Sequence, residues 1–333
     1  MKEKLNILLL TTGGTIASLS SSEGLVPGLS GNHLHSYIAN FTSDLNVTIE
    51  DILHLDSSNI QPEEWLIIGK HIYENYKSYD GIVITHGTDT MAYTSSILSF
   101  MLQNIPIPVV FTGSQLPLTH PLTDAIDNLR YAFAMATSHV AGIYLAFNRK
   151  IILGSRAVKI RTTGFDAFES VNYPNIATID STGLNINYQA IPKINGECTF
   201  KNSLCADVFL LKLTPGLNPS IFDMLLELNY RGIVIEAFGA GGLHYIHREL
   251  ISKLEKLSDH GISIVISSQC LYERSDLSIY QTGQLALRHG VIQAFDMTTE
   301  AAVTKLIWAL GQTEDMDEVR NIFATNYVGE IAL

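Results

Sequence analysis

Residues 5–15 read LNILLLTTGGT, and the way an apolar run gives way to hydroxyls and glycines there decides the fold. Residues 5–10 lack the polar alternation of a half-exposed strand, so they suit a strand buried on both faces, as in a parallel sheet. The succession then recurs. A second strand over 47–55 is followed by Asp56-Ser57-Ser58. The run at 81–84 leads into Thr85-His86-Gly87-Thr88-Asp89-Thr90, and the run at 109–111 into Thr112-Gly113-Ser114-Gln115. Helical stretches lie between these strands. One opens on Pro62 with Glu63 and Glu64 in its first turn and carries Trp65, Ile68, Ile72 and Tyr76 on one face. Residues 91–102 have the length of another, and Ile126, Leu129 and Phe133 stripe a third. Strands alternating with helices predict an α/β fold with a mostly parallel sheet.

Further along, 142–162 (GIYLAFNRKIILGSRAVKIRT) reads as a hairpin of antiparallel strands, and 183–202 is polar, turn-rich and without helical periodicity. The second half repeats the alternation: ADVFLLKL, a helix after Asn218-Pro219, RGIVIEAFGAGG, a helix over 247–257, GISIVISSQ, and a last helix with Val303, Leu306, Ile307 and Leu310 aligned. The organisation expected is two unlike α/β domains: a larger N-terminal catalytic domain over 1–185 with an open, helix-flanked sheet, a linker over 186–205, and a smaller C-terminal domain with a parallel sheet over 206–333. The length of 333 residues fits two domains at roughly 150 residues each. A chain 46% hydrophobic and only 16% charged excludes a disordered or low-complexity protein.

The same arithmetic narrows the partners. A net charge of −12 with no lysine or arginine cluster argues against nucleic acid and anionic membranes. No apolar run approaches the roughly 18 residues of a bilayer span, and the apolar stretch after MKEK is too short for a signal peptide. Cys198, Cys205 and Cys270 form no CxxC pair and no disulfide framework, so a cytoplasmic location is expected, with the cysteines acting as small buried residues. The sequons at Asn40 and Asn46 are then chance matches.

In an open parallel sheet, ligands bind beyond the carboxyl ends of the strands, where the four polar loops should converge. Serine, threonine, aspartate and glycine also cap helices and punctuate such loops. For one loop alone, capping is the ordinary explanation; four in register shift the balance toward chemistry. Lys159 is the one cation expected near this crevice. There is no GxSxG, Walker A, HExxH or GxGxxG pattern. The Gly239-Ala240-Gly241-Gly242 turn lacks the spacing of a phosphate cradle. His33/His35 and His244/His247 lack companion ligands, so neither a metal nor a cofactor is expected.

Thr11-Thr12-Gly13-Gly14-Thr15-Ile16, with His86-Gly87-Thr88-Asp89-Thr90-Met91 about seventy residues later, resembles the bacterial-type L-asparaginase family. The likeness runs through Asp56-Ser57-Ser58, Thr112-Gly113-Ser114-Gln115, Lys159 and the C-terminal half, and is greatest to the cytoplasmic, type I branch. The resemblance implies hydrolysis of L-asparagine to L-aspartate and ammonia through a threonine acyl-enzyme, without metal or cofactor. It makes Thr15 the first nucleophile and Thr88, Asp89 and Lys159 a second, connected set. It assigns Asp56, Ser57, Ser58, Thr88 and Asp89 to substrate binding and implies a homodimer or homotetramer; Ser114 is then expected to line the pocket rather than react. The chemistry agrees: a threonine hydroxyl needs a base or proton path, and a zwitterionic substrate needs a carboxylate for its ammonium and donors for its carboxylate. Leu25 stands where much of the family has a tyrosine, in a segment whose Gly24, Pro27 and Gly28 mark a mobile loop. Glu236 stands where some members have the arginine of a regulatory site, so that regulation is not expected. Three alternatives remain open: a glutaminase–asparaginase of broader specificity, since one methylene is worth only about 1–3 kcal/mol; an amidase of the glutaminyl-tRNA amidotransferase type; and a non-catalytic asparagine sensor.

Overall fold

The computed structural model describes residues 3–21, 24–27 and 31–332, with the backbone alone at 17, 19–21, 24–27 and 31–33. Two compact units, Met1–Asn202 and Ser203–Leu333, divide the chain. In the first, β1 (Asn6–Gly13) leads through a ribbon of β2 (Ser18–Ser21) and β3 (Gly24–Pro27) to α1 (Gly31–Ile38), β4 (Asn46–Leu55), α2 (Pro62–Asn75), β5 (Gly81–Thr85), α3 (Met91–Met101), β6 (Leu102–Gln103), β7 (Pro108–Thr112) and α4 (Ala125–Ala136). Then come β8 (Gly142–Phe147), β9 (Lys150–Leu153), β10 (Ala157–Lys159), β11 (Phe168–Ser170), β12 (Ala177–Asp180), β13 (Gly183–Ile186) and β14 (Thr199–Phe200). The eight-stranded sheet runs β13-β12-β9-β8-β7-β5-β1-β4. Its strands from β4 to β8 are parallel, and β9, β12 and β13 continue it antiparallel.

The local causes are those read in the sequence. All five residues of β5 and of β7 are buried, because helices cover both sheet faces. Pro62 opens α2, the Glu64 carboxylate accepts from Gln61 N at 2.8 Å, and Trp65, Ile68 and Ile72 are buried. Of the 142–162 stretch expected as a hairpin, residues 142–153 form one, β8 paired antiparallel with β9, while 157–159 pair instead with β11 in a separate ribbon. Within the polar 183–202 stretch, β13 pairs with β12 and β14 with β6.

Strand order makes the site. From β1 the chain steps to β4 on one side, then returns past β1 to β5 and moves on to β7. The loops after β1 and β5 therefore leave in opposite directions, and a crevice opens between their carboxyl ends, at the switch point where such sheets bind ligands. Helices α1 and α4 share one core, through Leu34, Ile38, Leu129 and Phe133, whereas α3 packs with α2 through Trp65 Nε1 donating to Thr94 Oγ1 at 3.1 Å. The steps β5→β7 and β7→β8 run the same way through the sheet with their helices on opposite faces. Their crossovers thus have opposite hands, and one departs from the usual right-handed connection.

The second unit holds β15 (Val208–Lys212), α5 (Ser220–Glu227), β16 (Gly232–Ala237), α6 (Ile251–Asp259), β17 (Ser263–Ser268), α7 (Gln281–Arg288), β18 (Ile292–Gln293), α8 (Thr299–Gln312) and α9 (Met316–Ala324). Its four strands are parallel in the order β15-β16-β17-β18. That order never reverses, so this sheet has no switch point of its own. The helix expected over 247–257 begins four residues later. Arg248 sits at φ 52, outside the right-handed region, and the Glu249 carboxylate caps the later start by accepting from Ser252 N at 3.0 Å. Cys198 and Cys205 are partly buried but Cys270 is exposed, contrary to the buried role expected for all three.

Candidate active site

Glycines let the four loops close on one another. Gly13 (φ 104) and Gly14 (φ 80) occupy backbone conformations that other residues rarely adopt. A Cβ on Gly13 would lie 2.4 Å from Leu55 O, and one on Gly14 would lie 2.4 Å from Gly87 N. Gly14 N also donates to Leu55 O at 2.9 Å, and Thr12 Oγ1 to Thr85 O at 2.9 Å. The loop after β1 is thereby clasped between the ends of β4 and β5. It presents Thr15 at the start of a 3-10 turn, Thr15–Ala17, partly exposed and without a hydrogen bond to its hydroxyl from any described residue.

Across the crevice, Lys159 Nζ lies 2.9 Å from Thr88 Oγ1 and 2.5 Å from Asp89 Oδ1. Thr88 is buried, the lysine side chain is 18% exposed, and Asp89 faces outward. A cation, a hydroxyl and a carboxylate from two segments seventy positions apart thus form one connected set. Ser57 joins it from the loop after β4. Its Oγ accepts from Asp89 N at 3.2 Å, and its carbonyl accepts from Thr90 Oγ1 at 2.7 Å.

The remaining expected residues are nearby but occupied otherwise. Asp56 Oδ1 accepts from Ser58 N and Ser58 Oγ, both at 2.8 Å, so these two side chains cap the turn Ser57–Asn59. Ser114 is buried and its hydroxyl donates to Leu116 O at 2.6 Å. The Leu25 side chain lies outside the described residues; its backbone belongs to β3, paired with Ser20. Residues 22, 23 and 28–30 of the expected mobile loop also lie outside them.

Two features went unassigned in the sequence. His86 is fully buried, and a Cβ on Gly113 would lie 2.3 Å from its backbone carbonyl oxygen. Its Nδ1–H donates to the Gly87 carbonyl at 2.7 Å, while Nε2 finds no hydrogen-bond partner among the described residues. Burial pushes its pKa down to about 4, against the smaller upward effect of the Gly87 bond, so the ring is neutral. Asp124 and Asn128 grip the Gly113–Leu116 segment from α4. The Asp–x–x–x–Asn spacing, which places both on one helix face, was the available signal. Among the described residues no group of three or more histidines, cysteines or carboxylates is close enough to hold a metal.

Comparison with known proteins decides the lineage. Residues 6–192 match the model for the N-terminal asparaginase domain, and 207–323 that for the glutaminase/asparaginase C-terminal domain. The chain belongs to the asparaginase family. Among relatives of this asparaginase-family chain, an L-asparaginase of Thermococcus kodakarensis is 46% identical over 98% of this chain and 99% of its own. The solved structure of the thermostable L-asparaginase from that organism superposes with a TM-score of 0.93 at 45% identity, covering 98% and 99% of the two chains. L-asparaginase I from Vibrio cholerae gives 0.89 at 30% identity, covering 99% and 100%. A glutamyl-tRNA(Gln) amidotransferase component from Methanosphaera stadtmanae is 34% identical over 99% of this chain but only 77% of its own length.

Proposed function

We propose that this protein hydrolyses L-asparagine to L-aspartate and ammonia. The observation that carries the proposal is the Lys159–Thr88–Asp89 set at the switch point, beside the Thr15 loop, which closes on Gly87 through Gly14. Full-length likeness to an L-asparaginase supports the substrate. Thr15 Oγ attacks the side-chain amide carbon, the amide nitrogen takes up the proton lost by the hydroxyl and leaves as ammonia, and water then cleaves the ester to release aspartate and restore the hydroxyl. Thr88 and Lys159 move protons in this scheme. Asp89 holds the lysine and meets the substrate ammonium, together with Asp56. Ser57, Ser58 and loop N–H groups meet the α-carboxylate, with Ser114 behind them. Backbone N–H groups of the Thr88 loop stabilise the oxyanion. No metal or cofactor takes part.

Around this core we assign a catalytic N-terminal domain and a C-terminal domain joined within the polar 186–205 segment, which takes in residues 193–205 of the gap between the two family matches. A cytoplasmic location is supported by a solved relative named "Probable Cytoplasmic L-asparaginase" from Campylobacter jejuni. A homodimer or homotetramer is supported by exposed Tyr245, Ile246, Ile279 and Tyr280, in segments beyond the β16 and β17 ends.

Ammonia release from L-asparagine and L-glutamine, measured side by side with chelator present, tests the proposal. Asparagine turnover should survive the chelator. Thr15→Ala, Thr88→Val and Lys159→Met should each cut kcat by about 10²–10⁴-fold without unfolding the protein, and the last two losses should not add. Asparagine binding without turnover would replace the enzyme with the sensor.

A further inference from the structure

Lys159 ends β10, a three-residue strand paired only with β11, outside the main sheet. A flexible four-carbon stem on so small a ribbon holds its ammonium in place only if the ribbon is fixed at both ends. The near end is fixed by Ser95 Oγ of α3 donating to Gly154 O at 3.0 Å and by Val171 N donating to Arg156 O at 3.0 Å. The far end is the turn 161–166, exposed at Arg161, Thr162 and Thr163. Within it, Ile160 N donates to Ala167 O at 2.8 Å, and Arg161 pairs with Asp166 at 2.8 Å on the surface, where such pairs contribute little.

Gln115 ties that far end down. Its Nε2 donates to Thr162 O at 3.2 Å and Gly164 O at 3.0 Å, using both amide hydrogens. The glutamine is itself held. Its backbone N–H points at both Asp124 carboxylate oxygens, 3.1 and 3.0 Å away, and Leu116 N donates to the same group at 3.1 Å. Asn128, buried on α4, donates to Asp124 at 3.1 Å and Gly113 O at 2.9 Å, and accepts from Asn148 N at 2.9 Å. A rigid helix of the main layer is therefore linked, through one side-chain amide, to the ribbon that carries the lysine.

We propose that Gln115 is a positioning residue for Lys159, clamping the 161–166 turn so that the ammonium stays on Thr88 and Asp89. This rests on Lys159 belonging to the reacting set, and the test separates the two claims. Gln115→Met keeps the side-chain length and removes both donors. Backbone amide exchange over 157–166 should accelerate at least fivefold while β5 and β7 stay unchanged. Asparagine kcat should fall at least tenfold with KM moved less than twofold, and the same substitution should cost nothing further in a Lys159→Met background. Unchanged exchange over 157–166 overturns the clamp, as does a loss that adds to that of Lys159→Met. A raised KM with kcat kept would make Gln115 a substrate contact instead. Exchange is independent of what the enzyme turns over. If Lys159→Met leaves turnover intact, the catalytic reading fails while the clamp is still decided. Should Gln115→Met fail to fold, Gln115→Glu, whose carboxylate would face two carbonyls, carries the same measurements.

Discussion

His86 shows how one buried side chain couples the candidate site to pH. Its Nδ1–H is committed to Gly87 O, so a second proton would have to go on Nε2, which has no acceptor among the described residues. With a folded pKa of about 4 against an ordinary 6.5, the fold prefers the neutral ring. Its contribution is therefore complete above pH 6.5 and is lost as pH falls from there through 4, up to about 3 kcal/mol. Urea midpoints at pH 7.5 and 4.5 should drop more for the wild type than for His86→Gln; equal drops would mean that the ring titrates normally. The motif around His86 was visible in the sequence, but the depth of its burial was not, because that depends on segments packed around the ring from elsewhere in the chain, Phe111 among them at 6.1 Å between ring centroids. The same holds for Asp56, Ser58 and Ser114. Their residue types were legible, whereas the bonds they form with neighbouring groups follow from turn geometry.

At the scale of elements, the glycine contacts decide whether the loops meet at all. Gly14→Ala would set a methyl group 2.4 Å from Gly87 N at a φ of 80. The strained backbone alone costs on the order of 1–3 kcal/mol, and relief of the clash must part the Thr15 loop from the Thr88 loop. The expected result is a lower Tm together with a kcat loss larger than that Tm shift implies. An alanine variant with wild-type kcat would show that the clasp is not needed. Strands β1, β5 and β7, helix α2 and the β8–β9 hairpin were legible because their apolar spacing and end signals are local. The start of α6 was misplaced by four residues because Arg248 leaves helical conformation where the apolar pattern did not forbid one. Helices α1, α7 and α9, each only eight or nine residues long, were not anticipated.

Over the whole molecule, the second unit closes on an ion pair with no exposure to water. Lys305 Nζ lies 2.6 Å from Glu330 Oε1 and donates to Thr325 O at 2.8 Å; Glu330 also accepts from the N–H groups of Tyr327 and Val328. This joins α8 to the chain terminus. Removing one partner leaves a buried charge without its counter-charge, at a cost of about 3–5 kcal/mol. Lys305→Met should therefore lower the urea midpoint read through Trp308 in a Trp65→Phe background, and adding Glu330→Leu should recover much of the loss. No shift would mean that the pair is dispensable.

The sequence by itself determined the α/β class, the polar strand ends and the family, because these rest on local periodicity and on short motifs whose residue types the chemistry requires. Tertiary structure alone decided that β5 returns to the far side of β1, that one crossover takes the unusual hand, and that Gln115 bonds the turn beyond Lys159. Strand order and side-chain contact are set by packing between segments distant in the chain, for which local propensity carries no information.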